Sequence, residues 1–158
     1  MSILSLVVWL AICFAVAAIG SIAKPDAWYR GMNKPSWNPP DWVFAPVWTI
    51  LFAMMAVAAW LVWSKRDQTD ITLAVVLFVT QLGLNALWSW LFFGFHRPDF
   101  AFFEVIVFWL VILGTTIEFW GISPAAGKLM LPYVLWVGFA SFLNLVLWKM
   151  NPYAVGRA

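Results

Sequence analysis

Apolar residues run in five blocks along the chain, at about residues 2–23, 42–64, 71–94, 100–121 and 129–150. Each block has the length that a helix rising about 1.5 Å per residue needs to cross a hydrocarbon core about 30 Å thick. Strict alternation over about ten residues, the mark of a membrane β-strand, is absent. Polar residues collect between the blocks. Lys65-Arg66-Asp67-Gln68-Thr69-Asp70 reads as a short charged loop, and His96-Arg97-Pro98-Asp99 as a tight turn with Asp99 capping the fourth helix. Gly121-Ile122-Ser123-Pro124 ends the fourth helix, and Lys128 precedes the fifth. The pattern predicts an all-α membrane protein, a five-transmembrane-helix bundle forming one domain over residues 1–158. Loops this short make sequential helices antiparallel neighbours. No Lys or Arg precedes the first block, and it is longer than the apolar part of a signal peptide, so it is expected to stay as a helix.

Helical spacing sorts residues onto faces. Gln81, Asn85, Trp88 and Phe92 share one stripe of the third helix. Amides at membrane depth should face the bundle interior or a cavity. Pro132, Trp136, Ala140, Leu143 and Asn144 form a comparable stripe on the fifth helix, and Trp48, Phe52, Met55 and Ala59 on the second. Together they suggest an aromatic cavity with a few amides, suited to a large flat apolar ligand. The alternative is ordinary packing with amides as interhelical ties. Trp9, on the first helix, falls outside these stripes. Gly83, Ala86, Leu87, Trp90 and Gly94 lie on the third helix opposite Asn85, and small residues there would let a second copy approach closely, which makes this the expected homodimer face.

The segment of about residues 24–41 is no flexible linker. Pro25, Pro35, Pro39 and Pro40 fix its backbone, while Trp28, Tyr29, Trp37 and Trp42 give it amphipathic mass. It reads as an ordered lid, with Trp28 closing the cavity from above, or else as an interfacial anchor for the helix ends.

Composition narrows the chemistry. Hydrophobic residues make up 65% and charged residues 10% of the chain, too little polar surface for a water-facing globule. A net charge of +2 gives no field for nucleic acid. The lone Cys13 excludes an internal disulfide, and the lone His96 has no partner at metal-ligand spacing. No catalytic constellation is visible. The 13 tryptophans exceed what interfacial belts require, since several lie away from helix ends. Lys24, Arg30, Lys34, Arg97, Lys149 and Arg157 sit on one side of the bundle, and Lys65, Arg66 and Lys128 on the other. That excess places residues 24–41 and the C-terminal end in the cytoplasm and the N-terminal end outside.

Lys34-Pro35-Ser36-Trp37-Asn38-Pro39-Pro40, followed by Trp42-Val43-Phe44 and Pro46-Val47-Trp48-Thr49, resembles the signature of the tryptophan-rich sensory protein / translocator protein family. Gln81 with Asn85, Trp88 and Leu91-Phe92-Phe93-Gly94 resembles the third helix of that family. Pro132-Tyr133 with Trp136, Phe139-Ala140 and Leu143-Asn144 resembles its fifth. The resemblance implies a bacterial multi-pass membrane protein, often dimeric, acting as receptor, sensor or carrier. It implies porphyrin, haem or another tetrapyrrole, or else a sterol-like molecule, as ligand, with no cofactor required. Carried onto this chain, it marks Trp28, Trp37, Asn38, Pro39, Trp48, Phe52, Gln81, Asn85, Trp88, Phe92, Trp136, Phe139, Ala140 and Asn144 as ligand-binding. Light-driven porphyrin breakdown by pocket tryptophans, or a bundle with no ligand, are the competing readings. Animal members carry a proposed cholesterol pattern that needs a Tyr before Lys149; here Leu143-Asn144-Leu145-Val146-Leu147-Trp148 has none, which weighs against a sterol. Glu104 is either an acid favoured by the N-terminal end of its helix or a polar contact for the ligand. Arg30 and Lys34, with Lys24, either meet ligand carboxylates or anchor the chain at the interface.

Overall fold

The computed structural model describes residues 2–157. Its helices are α1 (Ile3–Ile22), a single turn α2 (Ala27–Arg30), α3 (Asp41–Trp63), α4 (Thr72–Ser89), α5 (Pro98–Ile122) and α6 (Pro124–Met150), with a π-helical turn at Trp90–Gly94 extending α4. Among the described residues, five of these helices are long and apolar enough to cross a membrane. The chain is therefore an integral, multi-pass membrane protein. In lipid a spanning segment must satisfy its own backbone hydrogen bonds, which is why the apolar blocks become helices.

Two boundaries differ from those expected. The last helix begins at Pro124 rather than near residue 129. Pro124 occupies the first helical position, where its missing N–H costs nothing, so the Ser-Pro pair starts a helix as well as following one. Gly127 permits this early start, because a Cβ there would meet the Trp120 backbone of α5 at 2.8 Å. Asp99 is not an N-cap: Pro98 is the first residue of α5, and Asp99 sits in its first turn, bridged to Arg97 at 2.7 Å.

The long helices close a ring in the order α1, α3, α6, α5, α4 and back to α1. α3 and α4 hardly touch although they are sequential, because α1 packs on both. This corrects the expectation that every short loop joins neighbours. Trp9 is part of that packing and no bystander: it is buried, edge-on to Trp63 of α3 (5.9 Å) and Phe78 of α4 (5.5 Å). At the same end, the Trp60 indole N–H donates to the Ser2 carbonyl at 3.0 Å.

The expected dimer face is partly used within the chain. The Trp90 indole donates to the Ile19 carbonyl of α1 at 3.1 Å. Gly20 of α1 lies against Ala86, and Gly94 against Ala23. Of the five, Gly83, Leu87 and Gly94 remain exposed.

The connector between α1 and α3 is packed down at one end of the bundle. Asp26 accepts from the Tyr29 backbone N–H at 3.1 Å and caps α2. Tyr29 and Met32 are buried against Phe92, Leu143 and Leu147. Trp37 stacks on Phe142 of α6 at 5.6 Å.

Trp9→Ala should lower stability by about 3 kcal/mol, the usual cost of emptying a large aromatic site in a packed core. Thermal melting in detergent measures it; an unchanged midpoint would show that α1 is not held through this residue.

Candidate ligand cavity

The sequence places amides on α4 one and two turns before its end, and the ring of helices turns them toward α6. The Tyr133 hydroxyl donates to Gln81 Oε1 at 2.7 Å and accepts from Asn85 Nδ2 at 2.8 Å. One turn nearer the connector, the Trp88 indole donates to Asn144 Oδ1 at 3.0 Å. Asn144 Nδ2 in turn donates to the Pro98 carbonyl of α5 at 2.8 Å. Gln81 Nε2 contacts the Met55 sulfur at 3.7 Å. All four polar residues are buried or nearly so, and their bonds tie α4 to α6 and α5.

Above this polar floor lies a cavity of about 540 Å³. α4 contributes Asn85, Trp88, Phe92 and Phe93; α6 contributes Trp136, Phe139, Ala140, Leu143 and Asn144; α3 contributes Phe44, Trp48 and Phe52. The walls are rows of rings. Trp88 stacks on Phe92 at 5.4 Å, and Trp136 meets Phe139 at 5.7 Å and Phe44 at 6.1 Å. The Trp136 indole Nε1 is buried with no hydrogen-bond partner. An unmade bond of that kind normally costs about 1–3 kcal/mol.

α1 supplies the fourth wall, with Phe14, Ala17, Ala18, Gly20 and Ser21. The stripes did not reveal it: α1 is apolar on every side, and only its small residues hint at a surface something else approaches. Ala18 and Ser21 on α1, and Ala45 and Thr49 on α3, line the cavity and are also exposed, so its open side faces the gap between these helices. Pro25 and Tyr29 of the connector form the roof, and Lys24 and Asp41 stand at the rim. Burial raises the Tyr29 phenol above its ordinary range, offset in part by the Asn38 side chain, so the roof presents a neutral hydroxyl.

Several expected contacts lie elsewhere. Trp28 does not reach the cavity. It packs behind Phe92 at 5.9 Å, stacks on His96 at 4.3 Å and donates to the Ala154 carbonyl at 3.0 Å. Trp37 lies on the outer side of Phe139 and Phe142. Asn38 and Pro39 are half-buried in the connector, with Asn38 Nδ2 donating to the Pro39 carbonyl at 3.0 Å. Gln81 is one turn too deep and belongs to the floor. Lys34 is spent on the Arg30 and Met32 carbonyls, at 3.2 and 3.3 Å, and on the Tyr29 ring. Arg30 is exposed and Glu104 sits on α5, and neither lines the cavity. Both Glu104 carboxylate oxygens are buried without a partner. The cation that does border the cavity is Lys24. Pro132 faces an outer groove between α3 and α6, separated from the cavity by Trp136 and Phe139.

The sequence profile of the TspO/MBR family matches residues 9–149. The chain is 43% identical over 154 residues to the tryptophan-rich protein TspO of Chlorobaculum tepidum, covering 95% of this chain and 98% of that protein. It is 38% identical over 143 residues to the tryptophan-rich sensory protein of Cereibacter sphaeroides, covering 90% and 89%. The human translocator protein is 34% identical over 126 residues, covering 78% and 75%.

Tyr133→Phe should destabilise the protein by about 2 kcal/mol, because it strands Asn85 Nδ2 and Gln81 Oε1 at once. Tyr133→Phe with Gln81→Leu should cost less than the sum of the two single changes. Strictly additive losses in thermal melts would show that the two residues are not coupled.

Proposed function

The chain belongs to the TspO/MBR family, and from that premise we propose that its cavity binds one flat, mostly apolar ligand of the tetrapyrrole class, making the protein a membrane receptor or sensor for it. Relatives named as sensory and translocator proteins support the receptor or sensor role. The observation that carries the ligand class is the cavity itself. Its volume of about 540 Å³ suits one compact organic ligand. Indole and phenyl faces on three helices suit a planar ring system, each stack contributing on the order of 1 kcal/mol beyond burial. Lys24 at the rim suits an acidic edge such as a propionate. A sterol would use the apolar volume but has no anion for Lys24.

The lid end carries the larger share of cations, and we place it in the cytoplasm on that ground. A homodimer would use the part of α4 left free by α1. Gly83 has nothing within 4 Å of a Cβ position, so a second backbone can come close there. Gly83→Leu should weaken self-association in detergent, as read by cross-linking.

Titration of the purified protein with protoporphyrin, haem and a sterol, followed by tryptophan quenching, tests the ligand class. Saturable quenching is expected for the two tetrapyrroles. Trp136→Ala should weaken protoporphyrin binding by about tenfold or more, since a stack and shape are lost together. Ala140→Phe should fill the cavity and abolish binding while leaving the melting temperature near that of the parent. Lys24→Gln should weaken protoporphyrin more than its dimethyl ester. Tight sterol binding with no tetrapyrrole binding would overturn the proposal.

A further inference from the structure

The turn between α4 and α5 is built around a single imidazole. The π-turn at Trp90–Gly94 shifts the end of α4, with Phe95 N–H bonded to the Trp90 carbonyl at 2.7 Å and Arg97 N–H to the Leu91 carbonyl at 2.9 Å. Between them His96 adopts a positive φ of 53°, a backbone conformation uncommon for a residue with a Cβ. Strain of this kind persists only where the surroundings impose it, and it concentrates at functional positions.

The surroundings come from two distant parts of the chain. His96 Nε2 lies 2.9 Å from Asp26 Oδ2 on the connector, and His96 Nδ1 lies 2.9 Å from the Arg157 carbonyl oxygen in the segment after α6. Gly156 N–H donates to the His96 carbonyl at 2.9 Å, and Trp28 stacks on the ring at 4.3 Å. Both ring nitrogens therefore face oxygens that only accept. A neutral imidazole has one N–H and can satisfy one of them; only the imidazolium satisfies both. The charged neighbours are few. Asp26 faces it from the connector. Arg97 and Asp99 face it from the start of α5 but neutralise each other through bonds of 2.9 and 2.7 Å, and Arg157 is represented here by its backbone oxygen. The Trp28 face adds a cation–π contribution.

We propose that His96 is a proton-operated latch, holding the connector and the 151–157 segment together at the α4–α5 turn when its ring carries two protons and releasing the 151–157 segment when it loses one. The proton that stays should be on Nε2, because a carboxylate is the stronger acceptor. The Nδ1 lone pair then faces the Arg157 oxygen at 2.9 Å, and that contact becomes repulsive. The released segment carries the Ala154 carbonyl that holds the Trp28 indole and the Asn151 side chain that pairs twice with the Asn33 backbone at 2.8 Å. Opening therefore loosens the connector next to Tyr29, the roof of the cavity. The latch does not depend on which ligand the cavity takes.

The sign is fixed by the two partners. Slight burial pushes the Asp26 carboxyl up, but the Tyr29 backbone N–H and His96 outweigh it and hold it below the usual carboxylate range. Its contribution is present above the ordinary carboxylate value and is lost only as pH falls through the lowered one. Histidine is the side-chain type that ordinarily changes charge near neutral pH, so the window that bears on the latch is about pH 5.5 to 8.5. The latch is closed at the acidic end of this window and open at the alkaline end.

His96 is the one histidine in the chain, so ¹⁵N-histidine labelling reports this ring and nothing else. Ring spectra and amide exchange protection of Asn33 and Gly156, corrected for intrinsic exchange, should be followed together from about pH 5.5 to 8.5. The expected result is two protected ring N–H groups at the acidic end, one at the alkaline end, and about tenfold loss of amide protection in step with it. His96→Gln should abolish the pH dependence of protection. Asp26→Asn, which keeps the cap of α2, should shrink it. A ring that titrates while protection stays constant overturns the latch. So does a ring holding a single N–H throughout, and this wild-type measurement stands whether or not the variants fold.

Discussion

The hydrogen-bonded ladder between α4 and α6 is the constraint on which the rest of the fold hangs. Hydrocarbon offers no water to an amide, so Gln81, Asn85 and Asn144 must find partners inside the bundle. They find Tyr133, Trp88 and the Pro98 carbonyl. These bonds set the spacing of α4, α5 and α6 without requiring the space beside them to be filled. That leaves α1 and α3 to enclose the remaining side, and a hollow persists where an all-apolar interface would have closed up. The same stripe is thus a structural tie on its α6 side and a cavity wall on its inner side. Packing and pocket, weighed as alternatives in the sequence, are two faces of one feature.

The helices were legible because length and hydropathy are sufficient signals in a membrane: five blocks near twenty residues admit few other arrangements. The stripes on α3, α4 and α6 were legible because amides and indoles at helical spacing are conspicuous against aliphatic neighbours. Phe14 and the small residues of α1 carried no such contrast, and their place in the wall follows only from the ring order of the helices. The start of α6 is hidden in the sequence because a Ser-Pro pair reads as a terminator and Lys128 as a loop residue. Proline fits the first turn of a helix equally well, and a lysine four residues in can extend to the interface. Trp28 reads as a cavity residue from its position in an aromatic connector, but its partners His96 and Ala154 are 68 and more than 120 residues away, a pairing with no local signature.

The two ends of the bundle differ in character. One is tied by Trp9, Trp63 and Phe78 into a dense aromatic core. The other holds the cavity, the packed connector, the π-turn and the strained His96. Dense packing thus lies at one end, and a cavity ringed by separable polar contacts at the other. Membership of the TspO/MBR family, with relatives named for sensing and translocation, fits a bundle organised in this way.

The proposed ligand site is tested most directly by locating a tetrapyrrole on the protein. With ¹³C-labelled alanine and leucine methyls, addition of manganese protoporphyrin should broaden Ala17, Ala140 and Leu143, which surround the cavity, and leave Leu4 and Leu73, exposed at the opposite end, sharp. Broadening confined to Leu135, on the groove outside α3 and α6, with Ala17 and Ala140 unaffected, would contradict the account.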